Sequence, residues 1–400
     1  MRRLAITVFL CLAPCLLPHA PAFSAHLEER DGLTIAYLEG SPYEIGRQHG
    51  ELLKHDVQQV TRQLLGYVRG YVKIPFVGPR LADWWLDRPW RQALPSIPND
   101  YLEELRGLSD GSGVPLKELW RIHAIPDRTY ACAGLAVWGK ATTGGRLIHT
   151  RNLDWNINIG IQRYPVVFVV RPTGKHAFVN LGWAGFVGVL SGINDRSISI
   201  GQIGAETSKV SYRGLPMVLL MRKVLEESGD VDEAVRLIQT SPRTIGTNYI
   251  IADARVPRAV AIETTYQYAK VFEANDIKER GVAYARPIPE AVLRADAAVD
   301  AAIRERQVAS GGNPRKSGTE TPTGSAYEIR YLGQAAGILA NYGRITPEVA
   351  KQIAQTVAPN SNIQSVIFAW PDVWVANADG RIRAADTAYH RLDLRELFSR

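Results

Sequence analysis

The 400-residue sequence has few cysteines, and two of the three, Cys11 and Cys15, lie in an apolar segment at the N-terminus. The rest of the chain holds one thiol, Cys132, and therefore cannot close an internal disulfide. Its stability must come from an apolar core, for which a hydrophobic share of 46% is sufficient. A lone cysteine is more often a small core residue than a nucleophile, so Cys132 has to be judged by its neighbours in the sequence.

The sequence also lacks basic runs, long apolar runs and metal-binding motifs. The net charge of +7, two units of which come from Arg2 and Arg3, is dispersed along the chain without interleaved aromatic residues. This distribution argues against a nucleic-acid partner. No stretch after the N-terminus approaches the ~20 apolar residues of a membrane helix. No histidine pair has a metal-ligand spacing. We therefore expect no nucleic-acid partner, no membrane span, no metal and no cofactor.

The N-terminus has the pattern of a secretory signal peptide. Two arginines precede an apolar run over residues 4–17, and small residues follow up to Ala25. This pattern predicts a signal peptide over residues 1–24 and a secreted or periplasmic protein. A lipoprotein processed at Cys15 is the alternative, which Pro14 disfavours.

The remaining chain divides into a helical part and a part rich in strands. Residues 25–131 contain a short strand candidate at 33–38 and a capping box at Ser41 that starts a helix running towards Tyr67. Trp84, Trp85 and Trp90 follow in a connector broken by prolines; we interpret them as core residues, or else as part of an apolar pocket. From residue 132 onwards, strand candidates at 166–170, 186–190, 198–203, 248–252 and 259–263 alternate with helices. The pattern predicts an α+β protein with a helical N-terminal segment (25–131) and a strand-rich domain (132–400), to which the resemblance described below assigns the catalytic role.

Cys132 opens a segment with the features of a reactive β-hairpin. An apolar strand, a Gly144-Gly145 turn and a second strand ending in Arg151 and Asp154 would return both charged groups to the thiol. Scission before Cys132 would free an α-amine with a pKa of ~7.7–8.0, able to take the proton of its own thiol. Arg151 would then hold the thiolate and Asp154 would orient the amine. The alternative is a structural Arg151–Asp154 ion pair.

Cys132 together with Arg151-Asn152-Leu153-Asp154-Trp155 resembles the N-terminal-nucleophile (Ntn) hydrolases, which include choloylglycine hydrolase, penicillin V acylase and acid ceramidase. The segments 40–50, 101–108 and 248–263 are most similar to one group of them, acyl-CoA:6-aminopenicillanate acyltransferase. The resemblance implies a four-layer αββα sandwich. It also implies autocatalytic scission between Ala131 and Cys132, after which the light and heavy chains stay associated.

The resemblance leaves the other site residues open. Several relatives carry an oxyanion-binding Asn in a Thr-Asn-His-like segment, but the comparable stretch 282–287 has none. The oxyanion donors are then backbone amides or Asn248, which is otherwise a buried strand residue. Asn194 and Arg330 are the candidate substrate-binding residues: Asn194 is otherwise a turn residue, and Arg330 corresponds by resemblance to a late arginine of the family. His49, His123 and His149 are interpreted as structural.

The resemblance implies an exported amidase that cleaves a non-peptide amide of a small N-acyl substrate through an acyl-thioester on Cys132. The open alternatives are an acyltransferase, a phospholipase-B-like lipid hydrolase and a catalytically silent relative that binds a ligand. N-acyl amino acids, acyl-homoserine lactones, penicillin V and conjugated bile acids are the substrates to screen, and no residue chooses among them.

Overall fold

The computed structural model describes residues 25–71, 77–127, 131–205, 207–306 and 326–400. The predicted signal peptide, residues 1–24, lies outside these ranges. The helices are α1 Pro42–Leu52, α2 Lys54–Tyr71, α3 Gly78–Ala93, α4 Asn99–Ser112, α5 Leu116–His123, α6 Met217–Glu227, α7 Val231–Thr240, α8 Ala301–Arg304, α9 Ala326–Ala340, α10 Pro347–Val357 and α11 Leu394–Ser399. The strands are β1 His26–Arg30, β2 Leu33–Gly40, β3 Ala131–Gly139, β4 Gly145–Asp154, β5 Pro165–Pro172, β6 Phe178–Trp183, β7 Ser191–Asn194, β8 Ile198–Gly204, β9 Thr247–Asp253, β10 Arg258–Thr264, β11 Ala269–Phe272, β12 Ala291–Arg294, β13 Asn362–Ala369, β14 Asp372–Asn377 and β15 His390–Asp393.

The strands form two sheets. The nine-stranded sheet has the order β1-β2-β5-β6-β7-β8-β9-β10-β11, and the six-stranded sheet has the order β12-β3-β4-β13-β14-β15. Neighbouring strands are antiparallel except for β2 and β5, which are parallel. This one parallel pair is where the N-terminal segment joins the rest of the sheet.

The two sheets pack face to face between two layers of helices. Buried side chains of β3 and β4 contact those of β8 and β9. Helices α6 and α7 cover the outer face of the nine-stranded sheet, and α9 and α10 cover that of the six-stranded sheet. The α+β class and the four-layer αββα sandwich predicted from the sequence are therefore confirmed. Among the helices of the described ranges, none is long and apolar enough to cross a membrane.

The N-terminal segment differs in two respects from the sequence-based description. The helix that begins with the Ser41 capping box breaks at Leu53 and continues as α2. The predicted connector with the tryptophans is instead helix α3, which tolerates Pro89 in its interior. Trp90 is buried there, whereas Trp84 and Trp85 are exposed by 52% and 38%, so the core interpretation was wrong for those two.

Residues 184–190 form an irregular loop between β6 and β7, which we call the pocket loop. The strand predicted for 186–190 is wrong, although the residues are largely buried. Gly185 has a φ of +88°, a conformation that breaks a strand and favours glycine. Buried apolar residues alone did not distinguish this loop from a strand.

Candidate active site

The predicted hairpin forms, and it brings a thiol and a guanidinium together. Cys132 pairs with Leu153 and Gly134 pairs with Arg151 across β3 and β4. Side chains of directly paired residues share one face of a sheet, and here that face lies towards the nine-stranded sheet. Nη2 of Arg151 is 3.3 Å from Sγ of Cys132. Strand β3 begins with Ala131, so the two residues flanking the predicted scission site are consecutive strand residues.

Arg151 is fully buried and held by three hydrogen bonds besides its contact with the thiol. Its Nε donates to the Gln202 carbonyl at 3.1 Å, Nη1 to Oγ of Ser191 at 3.1 Å and Nη2 to Oε1 of Gln202 at 3.2 Å. No carboxylate of the described residues lies within ion-pair distance of this guanidinium. Its positive charge is thus directed at Cys132.

Asp154 is paired with another arginine, so the structural Arg151–Asp154 ion pair is absent. Its carboxylate accepts hydrogen bonds from Nη2 of Arg330 on α9 and, at 3.0 Å, from Nδ2 of Asn362 on β13. Arg151 and Asp154 are three residues apart on one strand, which directs their side chains to opposite faces. Burial raises the pKa of Asp154, while Arg330 and the hydrogen bond from Asn362 oppose this rise.

Asp296 is a site residue that sequence reasoning missed. Its Oδ1 accepts a hydrogen bond from the Cys132 backbone N–H at 2.6 Å, and its Oδ2 accepts one from Nη1 of Arg330 at 2.9 Å. Arg330 therefore bridges Asp154 and Asp296. Asp296 lies beside the Cys132 backbone because the short strand β12 pairs with β3 and ends two residues before Asp296. The stretch 282–287, which resembles the oxyanion-binding segment of relatives in position, lies before β12 and does not include Asp296.

Gln202 on β8 was missed as well. Its Oε1 lies 3.6 Å from Sγ of Cys132 and accepts the hydrogen bond from Arg151. The side chain is fully buried, and its Nε2 has no hydrogen-bond partner among the described residues. A buried amide N–H group without a hydrogen-bond acceptor lowers the stability of the fold unless another group accepts its hydrogen bond. The unpartnered donor thus belongs to the same amide group whose oxygen contacts the thiol.

The two predicted asparagines differ in position. Nδ2 of Asn248 donates to the carbonyl of Ala295 at 3.3 Å, next to Asp296, while its buried Oδ1 has no partner in the described ranges. Asn194 has four backbone partners: its Nδ2 donates to two carbonyls at the end of α6, and its Oδ1 accepts from two N–H groups of its own turn. It lies three residues, ~10 Å, along β7 from Ser191, the residue that contacts Arg151. Asn194 is therefore a turn residue, and its amide has no capacity left for a substrate.

Burial dominates the acidity of the thiol while Ala131 and Cys132 are joined. It raises the pKa of Cys132 to about 12, although the nearby Arg151 guanidinium lowers it; Asp154 and Asp296 add to the rise. The thiol is therefore neutral near pH 7. A nucleophilic attack requires a group that takes the thiol proton in the same step.

An apolar cavity of about 40 Å³ lies beside the hairpin that carries the thiol. Leu153, which is paired with Cys132, is one of its lining residues, so the pocket begins one side chain, ~5 Å, away from Cys132. Its polar lining includes Asn180, whose Oδ1 is buried without a partner in the described ranges. The rest of the lining is Ile125, Pro126, Trp155, Ile161, Gly182, Trp183, Phe186, Gly188, Leu190 and Val218.

The fold is a four-layer αββα sandwich with a thiol on a central hairpin, and this arrangement is similar to that of the Ntn hydrolases. A family model described as acyl-coenzyme A:6-aminopenicillanic acid acyl-transferase matches residues 141–281, a range that begins after Cys132 and contains Arg151, Asp154 and Gln202. The similarity to this family, predicted from the sequence, is thus confirmed. No group of three or more potential metal ligands occurs within the described ranges.

Individual relatives are distant. Protein dcd1B of Dictyostelium discoideum is 26% identical over 289 residues, which are 67% of this chain and 57% of that protein. Acid ceramidase of Rattus norvegicus is 28% identical over 239 residues, 54% of this chain and 58% of the enzyme. The chain thus spans less than two thirds of these curated relatives. The solved structure of a Caenorhabditis elegans N-acylethanolamine-hydrolyzing acid amidase ortholog aligns with a TM-score of 0.43 and 17% identity, covering 60% of this chain and 92% of that one.

Proposed function

We propose that this protein is an exported cysteine amidase that removes an apolar acyl group from a small, non-peptide N-acyl substrate. The observation that carries the proposal is the contact of Cys132 with Arg151 and Gln202 at the edge of an apolar pocket. One relative is named for ceramide and another, from Rattus norvegicus, for hydrolysing N-acylethanolamines, which supports a substrate with an acyl chain on nitrogen. Export rests on the signal-peptide pattern of residues 1–24.

The proposed activation is scission of the Ala131–Cys132 bond by the protein itself. The thiol attacks the Ala131 carbonyl, the acyl group moves from nitrogen to sulfur, and water hydrolyses the resulting thioester. Asp296, which binds the Cys132 N–H, would then hold the freed α-amine, and Arg330 keeps Asp296 and Asp154 in place. The two chains would remain associated through their shared core.

In the proposed turnover, the α-amine takes the thiol proton while sulfur attacks the substrate carbonyl. Nε2 of Gln202 would stabilise the tetrahedral oxyanion. The α-ammonium gives its proton to the leaving amine, which leaves an acyl-thioester on Cys132. Water then attacks the thioester, its proton passes to the α-amine, and the carboxylic acid is released as the thiol re-forms.

Trapping the acyl-enzyme tests this proposal. Incubation with N-dodecanoyl-7-amino-4-methylcoumarin, followed by acid quench and peptide mass mapping, should find the dodecanoyl group on Cys132. Preincubation with this amide should also slow labelling of Cys132 by iodoacetamide. A protein that releases the coumarin without ever carrying the acyl group on Cys132 would refute the mechanism, and one that binds but never turns over any amide would be the silent relative.

Acyl transfer is the second candidate, because the matching family model is that of an acyltransferase. The same thioester would then be attacked by an amine instead of water. Adding hydroxylamine distinguishes the two: a transferase should form the hydroxamate in preference to the acid, whereas a hydrolase should continue to release mainly the acid.

A further inference from the structure

The pocket loop forms one wall of the apolar pocket, to which it contributes Phe186, Gly188 and Leu190. Because the loop is irregular, its backbone N–H groups lack the ladder partners that a strand would supply. The loop must therefore be held by other elements. Two of the groups that hold it come from the N-terminal segment 25–131. This segment contributes only Ile125 and Pro126 to the pocket lining, and the other lining residues come from later in the chain.

The holding groups are buried histidines. Nε2 of His49 on α1 accepts a hydrogen bond from the Gly185 N–H at 2.9 Å. Nε2 of His123 on α5 accepts one from the Val187 N–H at 3.0 Å. The His123 ring also packs against Phe186, with the ring centroids 5.2 Å apart. Both contacts fix the same short stretch of the wall.

Both histidines must be neutral to accept these hydrogen bonds. Nδ1 of His123 lies 2.7 Å from the Leu119 carbonyl and therefore carries the proton, which leaves Nε2 as the acceptor. Burial lowers the pKa of His49 to about 3 and that of His123 to about 4, and the Arg222 guanidinium contributes to both. Each ring is thus an acceptor at neutral pH, as the loop geometry requires.

We propose that His49 and His123 are positioning residues that set the shape of the acyl pocket, so that the N-terminal segment determines which acyl groups fit. The inference rests on the proposed function in one respect: the pocket is taken to receive the acyl group. It adds a role for the segment 25–131, two side chains of which hold the pocket wall. Ile125 and Pro126, which directly follow α5 and the residue Ala124, extend the same wall.

The test compares acyl-chain preference in variants that remove or retain the acceptor. His49→Phe and His123→Phe keep a ring and remove the acceptor, whereas His49→Gln and His123→Gln keep an acceptor oxygen near the position of Nε2. The substrates are the butanoyl and dodecanoyl amides of 7-amino-4-methylcoumarin. Each Phe variant should raise KM for the dodecanoyl amide about tenfold, the order expected when a buried N–H loses its acceptor, with kcat for the butanoyl amide nearly unchanged. The Gln variants should restore most of the preference.

His149 is the matched control, because it is equally buried and contacts Ser199 instead of the loop. His149→Phe should leave the ratio of KM values for the two amides at the wild-type value. Folded His49→Phe and His123→Phe proteins with the wild-type ratio would overturn the proposal. Should a Phe variant fail to fold, the corresponding Asn variant, whose shorter amide cannot reach the loop, takes its place with the same expectation.

A binding measurement separates failure of this inference from failure of the proposed function. Calorimetry measures dodecanoate binding to Cys132→Ala and to the same chain with His49→Phe or His123→Phe added. Binding weakened about tenfold by the added change supports the positioning role even if no amide is turned over. Equal binding in all three proteins, or no dodecanoate binding to Cys132→Ala itself, overturns it.

Discussion

Arg222 and Arg330 each pair with two carboxylates, but only the cluster around Arg330 contacts Cys132. Arg222 on α6 pairs with Glu104 at 2.6 Å and with Glu226 at 2.7 Å. Tyr101 and Lys175 also donate hydrogen bonds to Glu226. This cluster connects the N-terminal helix α4 to α6, and its members form ion pairs and hydrogen bonds with one another.

Arg330 makes the same kind of pairing with Asp154 and Asp296, but the surroundings differ. Asp296 binds the Cys132 N–H, and the thiol of Cys132 lies near the unpartnered Nε2 of Gln202. The comparison teaches that a buried Arg–carboxylate cluster is not in itself a sign of function. A thiol, an unpartnered hydrogen-bond donor and an adjoining apolar pocket distinguish the surroundings of the Arg330 cluster from those of Arg222.

The largest effect should come from removing the nucleophile. Cys132→Ala should lower turnover by about 10³-fold or more, because no other group can carry the acyl intermediate. The variant should also remain one chain, with a free energy of unfolding within about 1 kcal/mol of an uncut reference, since only one sulfur atom is lost. Coumarin release and urea denaturation measure the two properties. Wild-type turnover in this variant would remove the basis for treating the Arg330 cluster as the active one.

Breaking the other cluster should affect stability instead of reactivity. Arg222→Met leaves Glu104 and Glu226 buried without their partner, and should lower the free energy of unfolding by about 3–5 kcal/mol. Arg258 is the matched control, because it also bridges two carboxylates but is 37% exposed; Arg258→Met should cost at most about 1 kcal/mol. Urea denaturation gives both values. Iodoacetamide should still label Cys132 at the wild-type rate in folded Arg222→Met, and a slower rate would mean that the clusters are coupled.

The sequence predicted the hairpin correctly because its turn and both strands are contiguous, so that local pattern determines the geometry. Asp296 was not predictable in the same way. It contacts Cys132 from 164 positions further along the chain, and only the pairing of the four-residue strand β12 with β3 brings it there. Gln202 could not be distinguished in the sequence from other strand residues, because what sets it apart is a buried Nε2 donor without a hydrogen-bond partner in the described residues. The prediction of a strand at 186–190 was wrong because a loop that is buried in the protein has the same apolar composition as a buried strand.

Gln202 should affect the rate without a comparable effect on folding. Gln202→Leu removes the unpartnered donor and should lower kcat by about 10²-fold if that donor stabilises the oxyanion. Gln202→Glu, which keeps the acceptor for Arg151 but also lacks the donor, should show a similar loss. Gln364→Leu, at an equally buried position on β13, serves as the control and should retain kcat. Steady-state kinetics with the dodecanoyl amide measure all three, and an unchanged kcat in both Gln202 variants would exclude it as the oxyanion donor.

The smallest effect should be a shift in pH dependence. Arg151→Ala removes the positive charge that lowers the pKa of Cys132, so the pKa of the thiol should rise further. The thiolate is the reactive form, so the alkylation rate of the variant should reach half its maximum at a higher pH. Arg146→Ala, on the same strand but largely exposed, should leave the curve unchanged. Superimposable curves for wild type and Arg151→Ala would mean that Arg151 only supports the hairpin.

The central claim is that Cys132 becomes an N-terminal nucleophile, and intact-mass measurement of the purified wild-type protein tests it most directly. The account predicts two associated chains, one ending at Ala131 and one beginning at Cys132, and a single chain in Cys132→Ala. A wild-type protein that hydrolyses the dodecanoyl amide at full rate while residues 131 and 132 remain joined would contradict it.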